Sequence, residues 1–268
     1  MALSNVLVAA GVLSMVVGAG AAQATEIVVL GTTAAKEALI EIVPLFERAS
    51  GHKVNITFAS GPRMVERIRT GATGDLFIGP DEYNEPLLKE GKLVAGSGVD
   101  FAHSLTGVAV RAGAPRPDIS TPEKFRSALL AAKTVSFSGG ASGIHVVNVL
   151  ERLGINDAIK AKHVAPQGDE PVAAVVARGA AEIGIHQISQ LLPVPGIDIV
   201  GPFPGDLQKI IAYAATVLPG STQREAGSAF VTFLRSPPAA AIIKKKGMDP
   251  VWTTKESTPR QVASRSKT

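Results

Sequence analysis

Short β-branched runs alternate with amphipathic helical stretches along most of this chain, and that alternation restricts it to few architectures. Ile27 to Leu30 reads as a strand. A helix over 34–50 follows, with Leu39, Val43 and Phe46 on one face, Gly51 at the capping position, and Pro44 inside as an expected kink. Val54 to Phe58, Leu76 to Ile78, Leu105 to Val110, Thr134 to Phe137, Glu182 to Ile185 and Ile210 to Leu218 read as further strands. Between them lie helical stretches at 62–70, from Thr121-Pro122-Glu123 onward, at 144–153 and at 172–178; two more close the pattern at 223–234 and 237–246. Repeated strand–helix units bury helices against sheet faces, so the expected class is α/β with mainly parallel sheets.

The two ends are read apart from this pattern. Val6 to Ala22 is apolar or small except for Ser14, and Ala22-Gln23-Ala24 has the form of an export cleavage site. Residues 1–24 are therefore expected to be a signal peptide cleaved after Ala24, which makes the mature protein periplasmic. No Lys or Arg precedes the apolar run, which leaves an uncleaved anchor as the alternative. Residues 253–268 are polar and unpatterned, an expected disordered tail. Residues 244–268 carry five Lys and two Arg against Asp249 and Glu256, so the chain before them sums to −1 although the whole is +4. The basicity belongs to the tail. With aromatic residues at 4 % as well, nucleic-acid binding is not expected. The chain has no cysteine, which removes thiol catalysis and thiolate metal sites. No histidine pair has helical ligand spacing, so neither a metal nor a cofactor is expected.

Three strand-to-helix loops share an unusual feature. Gly31-Thr32-Thr33 precedes Lys36, Ser60-Gly61-Pro62 precedes Arg63, and Ser138 to Gly143 precedes His145. A helix N-terminus is already partly positive, so a cation in its first turn is unfavourable unless an anion sits in front of it. Hydroxyls and free amides at such ends make anion sites. Three of them in one chain point to a polyanion held between converging helix ends. The blander alternative is that Thr32, Thr33 and Ser60 are ordinary N-caps, that Lys36 and Arg63 are solvated, and that the glycine-rich loop is a flexible turn. That loop lacks the Gly-Lys-Ser/Thr of a P-loop.

Read in order, these segments resemble the periplasmic molybdate-binding protein family. The resemblance is carried by Phe46-Glu47-Arg48-Ala49-Ser50-Gly51, Ala59-Ser60-Gly61 and Gly74-Asp75-Leu76-Phe77-Ile78. Arg178-Gly179-Ala180-Ala181-Glu182-Ile183-Gly184 and Ala229 to Leu234 with Ser236-Pro237 extend it, so that it covers about 25–250. It implies a two-lobed type II periplasmic binding protein, with lobe 1 at 25–104 plus 216–252, lobe 2 at 105–215, and a ligand cleft between them. It also implies a monomer that delivers a small anionic ligand to the permease of an ABC importer. Oxyanion contacts would fall at Thr32 or Thr33, at Ser60, and in the loop holding Ser138, Ser142 and Gly143.

Two departures from the family pattern matter. His186-Gln187 stands where molybdate binders usually carry a tyrosine, and Arg63 and His145 add charge to loops that otherwise bind through neutral groups. A di- or tricarboxylate is then the larger ligand to consider beside a molybdate-like oxyanion. A branch of the fold family includes a periplasmic aconitate isomerase, which gives an enzymatic alternative with His145 as base and Arg63 as carboxylate clamp. Lys36, His186 and Gln187 complete the candidate ligand-binding set.

Overall fold

The computed structural model describes residues 24–168 and 170–251. In chain order the elements are β1 (Glu26–Thr32), a 3-10 turn (Thr33–Ala35), α1 (Lys36–Ser50), β2 (Lys53–Ala59), α2 (Gly61–Arg69), β3 (Leu76–Pro80), α3 (Asp81–Lys89), β4 (Val99–Ser104) and β5 (Thr106–Arg111). Next come α4 (Pro122–Ala131), β6 (Val135–Phe137), α5 (Ala141–Arg152), α6 (Asn156–Lys160), α7 (Val172–Ala177), β7 (Ile183–Gln187), α8 (Ile188–Leu191) and β8 (Ile197–Pro202). A second 3-10 turn (Gly205–Leu207), β9 (Ile211–Val217), α9 (Arg224–Leu234), α10 (Pro237–Lys245) and β10 (Met248–Pro250) complete it. The expected signal peptide (1–24) and disordered tail (253–268) lie outside the described residues apart from Ala24.

The strands form two sheets, ordered β10-β4-β9-β3-β1-β2 and β6-β7-β5-β8. The α/β class and the two-lobed build agree with the sequence reading, but the sheets are mixed rather than mainly parallel. Only β1 with β2, β1 with β3, and β6 with β7 run parallel. β9 inserts antiparallel between β3 and β4, and β5 lies antiparallel to both β7 and β8. The physical reason is that β4 and β9 adjoin the segments joining one sheet to the other. A strand entering from the opposite lobe runs against the local strand–helix units.

Alternation on β1 sets the first core. Ile27 and Val29 face α1 and α9, packing with Leu39, Ile42, Phe46, Phe230 and Leu234. Leu30 faces the other way, toward Met64, Ile68, Phe77 and Leu87. Phe46 lies 5.0 Å from Phe230 and 5.6 Å from Phe233 between ring centres, in the tilted and edge geometries that aromatic rings favour. In the second lobe Val108, Val110, Ile183 and Ile185 of the sheet pack on Phe125, Leu129, Val146 and Leu150. α1 ends as expected, with Gly51 left-handed at φ 76° and its amide on the Glu47 carbonyl. The helix runs through Pro44, whose missing N–H leaves the carbonyl of Ile40 unbonded within the helix; Ile40 is half exposed, so water can take that place.

Asp75 ties the first lobe together just ahead of β3. Its Oδ2 accepts the Val28 amide at 2.9 Å, while Oδ1 accepts the Ser221 hydroxyl at 2.9 Å and the Gln223 amide at 3.2 Å. One carboxylate thus joins β1 to the turn between β9 and α9. Removing it strands three donors at a site where Asp75 is only 6 % exposed. Asp75→Ala is expected to cost about 2–4 kcal/mol of unfolding free energy, measured by urea titration, whereas an unchanged midpoint would show that water replaces the carboxylate.

Candidate functional site

The carboxyl ends of β1, β2, β3, β6 and β7 open on one space. Thr32, Ser60, Pro80, Ser138 and His186, which stand at or just beyond those ends, all line a cavity of about 910 Å³. Each strand there gives way to a helix or a 3-10 turn, so backbone amides without an intrahelical partner gather on the same space. The cavity is the cleft between the two lobes, with both sheets contributing wall.

Nine of the sequence candidates line it: Thr32, Thr33, Lys36, Ser60, Arg63, Ser138, Ser142, His186 and Gln187. The capping alternative does not describe Thr32 or Ser60, whereas the Ser138 hydroxyl does accept the Gly140 amide at 3.4 Å. Thr32 and Ser60 make no side-chain capping bond, whereas Thr121, at the start of α4, does bond the Lys124 amide. Thr32 is 3 % exposed, and its hydroxyl lies beside that of Tyr213 but outside hydrogen-bonding geometry with any described group. Tyr213 gives its proton to Gln187 Oε1 instead, at 2.9 Å. Ser189 Oγ and His186 Nδ1, also on the wall, are likewise buried without partners. A buried polar atom costs about 1–3 kcal/mol when unpaired, so three behind one wall leave that wall incompletely satisfied by the protein itself.

Two candidates stand elsewhere. Gly143 is buried behind the loop, and a Cβ there would meet the Ser138 carbonyl oxygen, so glycine is what lets α5 begin tight against the loop. α5 starts at Ala141, three residues earlier than the sequence pattern suggested, because the chain turns from an extended Gly140 straight into helix at Ala141 to Gly143. His145 does not line the cavity. Its Nε2 lies 2.9 Å from the Leu207 carbonyl and its ring 5.7 Å from Phe203, which fixes it in the packing of the second lobe.

The structure adds residues that the sequence reading passed over. Arg67 lines the cavity one turn along α2 from Arg63, and Glu37 and Glu170 bring carboxylates, of which Glu170 is held by Arg178 at 2.9 Å. Tyr83 reaches from α3 toward the second lobe, its hydroxyl beside the Ala141 amide. It fits there because Gly61 has no side chain: a Cβ would overlap the ring. No local pattern marks these residues, since Tyr83 and Tyr213 reach the cleft only through tertiary packing. The lobes also touch directly, with Gln190 Nε2 donating to Thr33 Oγ1 at 3.1 Å and Lys209 pairing with Glu82 at 2.7 Å.

Electrostatically the wall sets Lys36, Arg63 and Arg67 against Glu37 and Glu170, a small cationic excess. Burial raises the hydroxyl pKa of both Tyr83 and Tyr213, so both stay protonated. Loss of water around the ring pushes the pKa of the mostly buried His186 down to about 4. Burial also lowers that of His145, partly offset by the Leu207 carbonyl. A free histidine titrates near 6.5, so below that value the unfolded chain binds protons that the folded chain refuses. Stability therefore rises with pH between about 4 and 6.5 and falls on acidification. Lowering the pH from 7 to 5 is expected to cost about 2 kcal/mol through His186, and His186→Gln should remove that part. Urea unfolding at both pH values checks it; equal losses in the two proteins would contradict it.

Residues 27–249 match the family model described as "Bacterial extracellular solute-binding protein", and the chain belongs to that family. It is 35% identical over 236 residues to an aconitate isomerase from Pseudomonas sp, an overlap covering 85% of this chain and 88% of the relative. It is 29% identical over 251 residues to the molybdate-binding protein ModA of Azotobacter vinelandii, covering 88% and 96%. Among solved structures, the Azotobacter vinelandii periplasmic molybdate-binding protein superposes with a TM-score of 0.68 at 23% identity, covering 83% of this chain and 98% of that one.

Proposed function

We propose that this solute-binding protein captures a small polycarboxylate of the aconitate class in the cleft between its lobes, after export to the periplasm. The observation that carries the reading is the pair Arg63 and Arg67 on one wall of the cavity. They are four residues apart on α2, so their stems lie about 5–6 Å apart. A second anion subsite is set by Thr32, Ser60 and the amides that open α2 and α5. A tetrahedral oxyanion has its charge around one atom and would satisfy only one of these regions. Carboxylates spaced along a short carbon chain would engage both, and guanidinium forks match carboxylates in shape. The relative named as an aconitate isomerase supports the same ligand class. As in other proteins of this build, ligand would close the lobes on each other, with delivery to an ABC importer permease as the downstream step.

Calorimetric titration with cis-aconitate tests this. Arg63→Ala and Arg67→Ala are each expected to weaken binding by about 1.5–3 kcal/mol, the range for a hydrogen bond to a charged group. Affinity unchanged in both variants would remove the polycarboxylate reading and return attention to oxyanions held by the hydroxyls alone.

A second reading, turnover of the bound tricarboxylate by an allylic proton shift, is favoured by the same relative. His145 was the base that the sequence suggested for it. Its placement against Leu207, off the cavity wall, means that this chemistry would need a different proton carrier.

A further inference from the structure

We propose that His186 is that proton carrier, taking a proton from the methylene carbon of a bound unsaturated tricarboxylate and returning it to the vinylic carbon two positions away. This rests on the isomerase reading above and goes beyond it by assigning the reacting group. His186 is the penultimate residue of β7, so its ring is delivered to the cavity wall by a strand rather than a mobile loop. It stands next to Gln187, whose side-chain oxygen is occupied by Tyr213. Its Nδ1 is buried and has no partner. A histidine kept for packing normally spends its ring nitrogens on hydrogen bonds, as His145 does with Leu207 and His163 does with the Phe137 carbonyl at 3.0 Å. His186 differs from both; His52, stacked on Phe46, also has a buried Nδ1 without a partner, so what sets His186 apart is its place on the cavity wall.

The other ionisable groups on the wall are less suited. Lys36, Arg63 and Arg67 carry a proton and positive charge, Tyr83 and Tyr213 hold their protons more tightly than usual, and Glu170 is committed to Arg178. Glu37 carries charge of the substrate's own sign. An imidazole kept neutral by burial has a free lone pair at neutral pH. A polycarboxylate beside it then favours the imidazolium, which makes proton uptake easier only when substrate is bound.

The step balances without any co-reactant. The imidazole nitrogen takes the proton, the C–H electron pair becomes a new π bond to the central carbon, and the pair of the old double bond moves onto the vinylic carbon and into its carboxylate as a dienolate. Arg63, Arg67 and Lys36 face that charge. The imidazolium returns the proton to the far end of the allyl system, and the double bond now lies where the methylene was. Nothing is oxidised or reduced.

Proton NMR of cis-aconitate in deuterated water tests the assignment, with calorimetric binding measured on the same samples of wild type, His186→Gln and His186→Asn. The expected result is interconversion of the cis and trans isomers in wild type, whether or not the returned proton has exchanged with solvent. Both variants should lose about 100-fold or more of the interconversion rate while keeping aconitate affinity within roughly tenfold. Retained binding also shows that the variants fold. Interconversion in the variants within threefold or so of wild type would overturn the role of His186 and leave the isomerase reading standing. Binding without interconversion in wild type would overturn both the isomerase reading and His186, leaving a receptor. No binding in wild type would overturn the polycarboxylate site itself.

Discussion

Everything at the cleft depends on one constraint: strands on both sheets end, and helices begin, around the same space. A helix N-terminus leaves amides without partners and carries partial positive charge. When several such ends converge, the cost of leaving them dry and unpaired is offset only by water or by an anion. The side chains sharpen this. Thr32, His186 and Ser189 present buried atoms with no protein partner, and Lys36, Arg63 and Arg67 add charge of the same sign as the helix ends. On the proposed reading, a bound polyanion would offset this cost.

The rest of the fold holds those ends in register. β9 crosses back between β3 and β4 and carries Tyr213 to the rear of the cleft, where it fixes Gln187 of the other lobe. Asp75 locks β1, which bears Thr32 at its end, to the turn after β9. Gly61 and Gly143 act in a different way, by omission. Without a side chain at 61, Tyr83 can lie across the start of α2 toward Ala141, and without one at 143, α5 can begin against the Ser138 carbonyl. These close approaches bring donors from both lobes within reach of one small ligand.

Much of this was legible in the chain. Apolar periodicity and the Gly51 stop defined α1, and the three loops located both walls of the cleft, although His145, expected as the cation behind the third, packs away from it. What could not be read came from tertiary placement. The antiparallel insertion of β9 looks like any other β-branched run, so the sheets were expected to be more parallel than they are. His145 and His186 are equivalent as letters; a carbonyl of Leu207 takes one into packing, while the end of β7 leaves the other on the cavity wall. Arg67 is one of three arginines on α2, and its helical phase relative to Arg63 puts it in the cleft.

The central claim is that the cleft reads several carboxylates at once rather than one tetrahedral centre. Calorimetric competition between tricarballylate and molybdate on the wild-type protein tests it most directly, because tricarballylate has three carboxylates and no double bond to react. Tricarballylate is expected to bind, with a molar excess of molybdate leaving its heat signal intact. Tight molybdate binding with no heat from tricarballylate would contradict it.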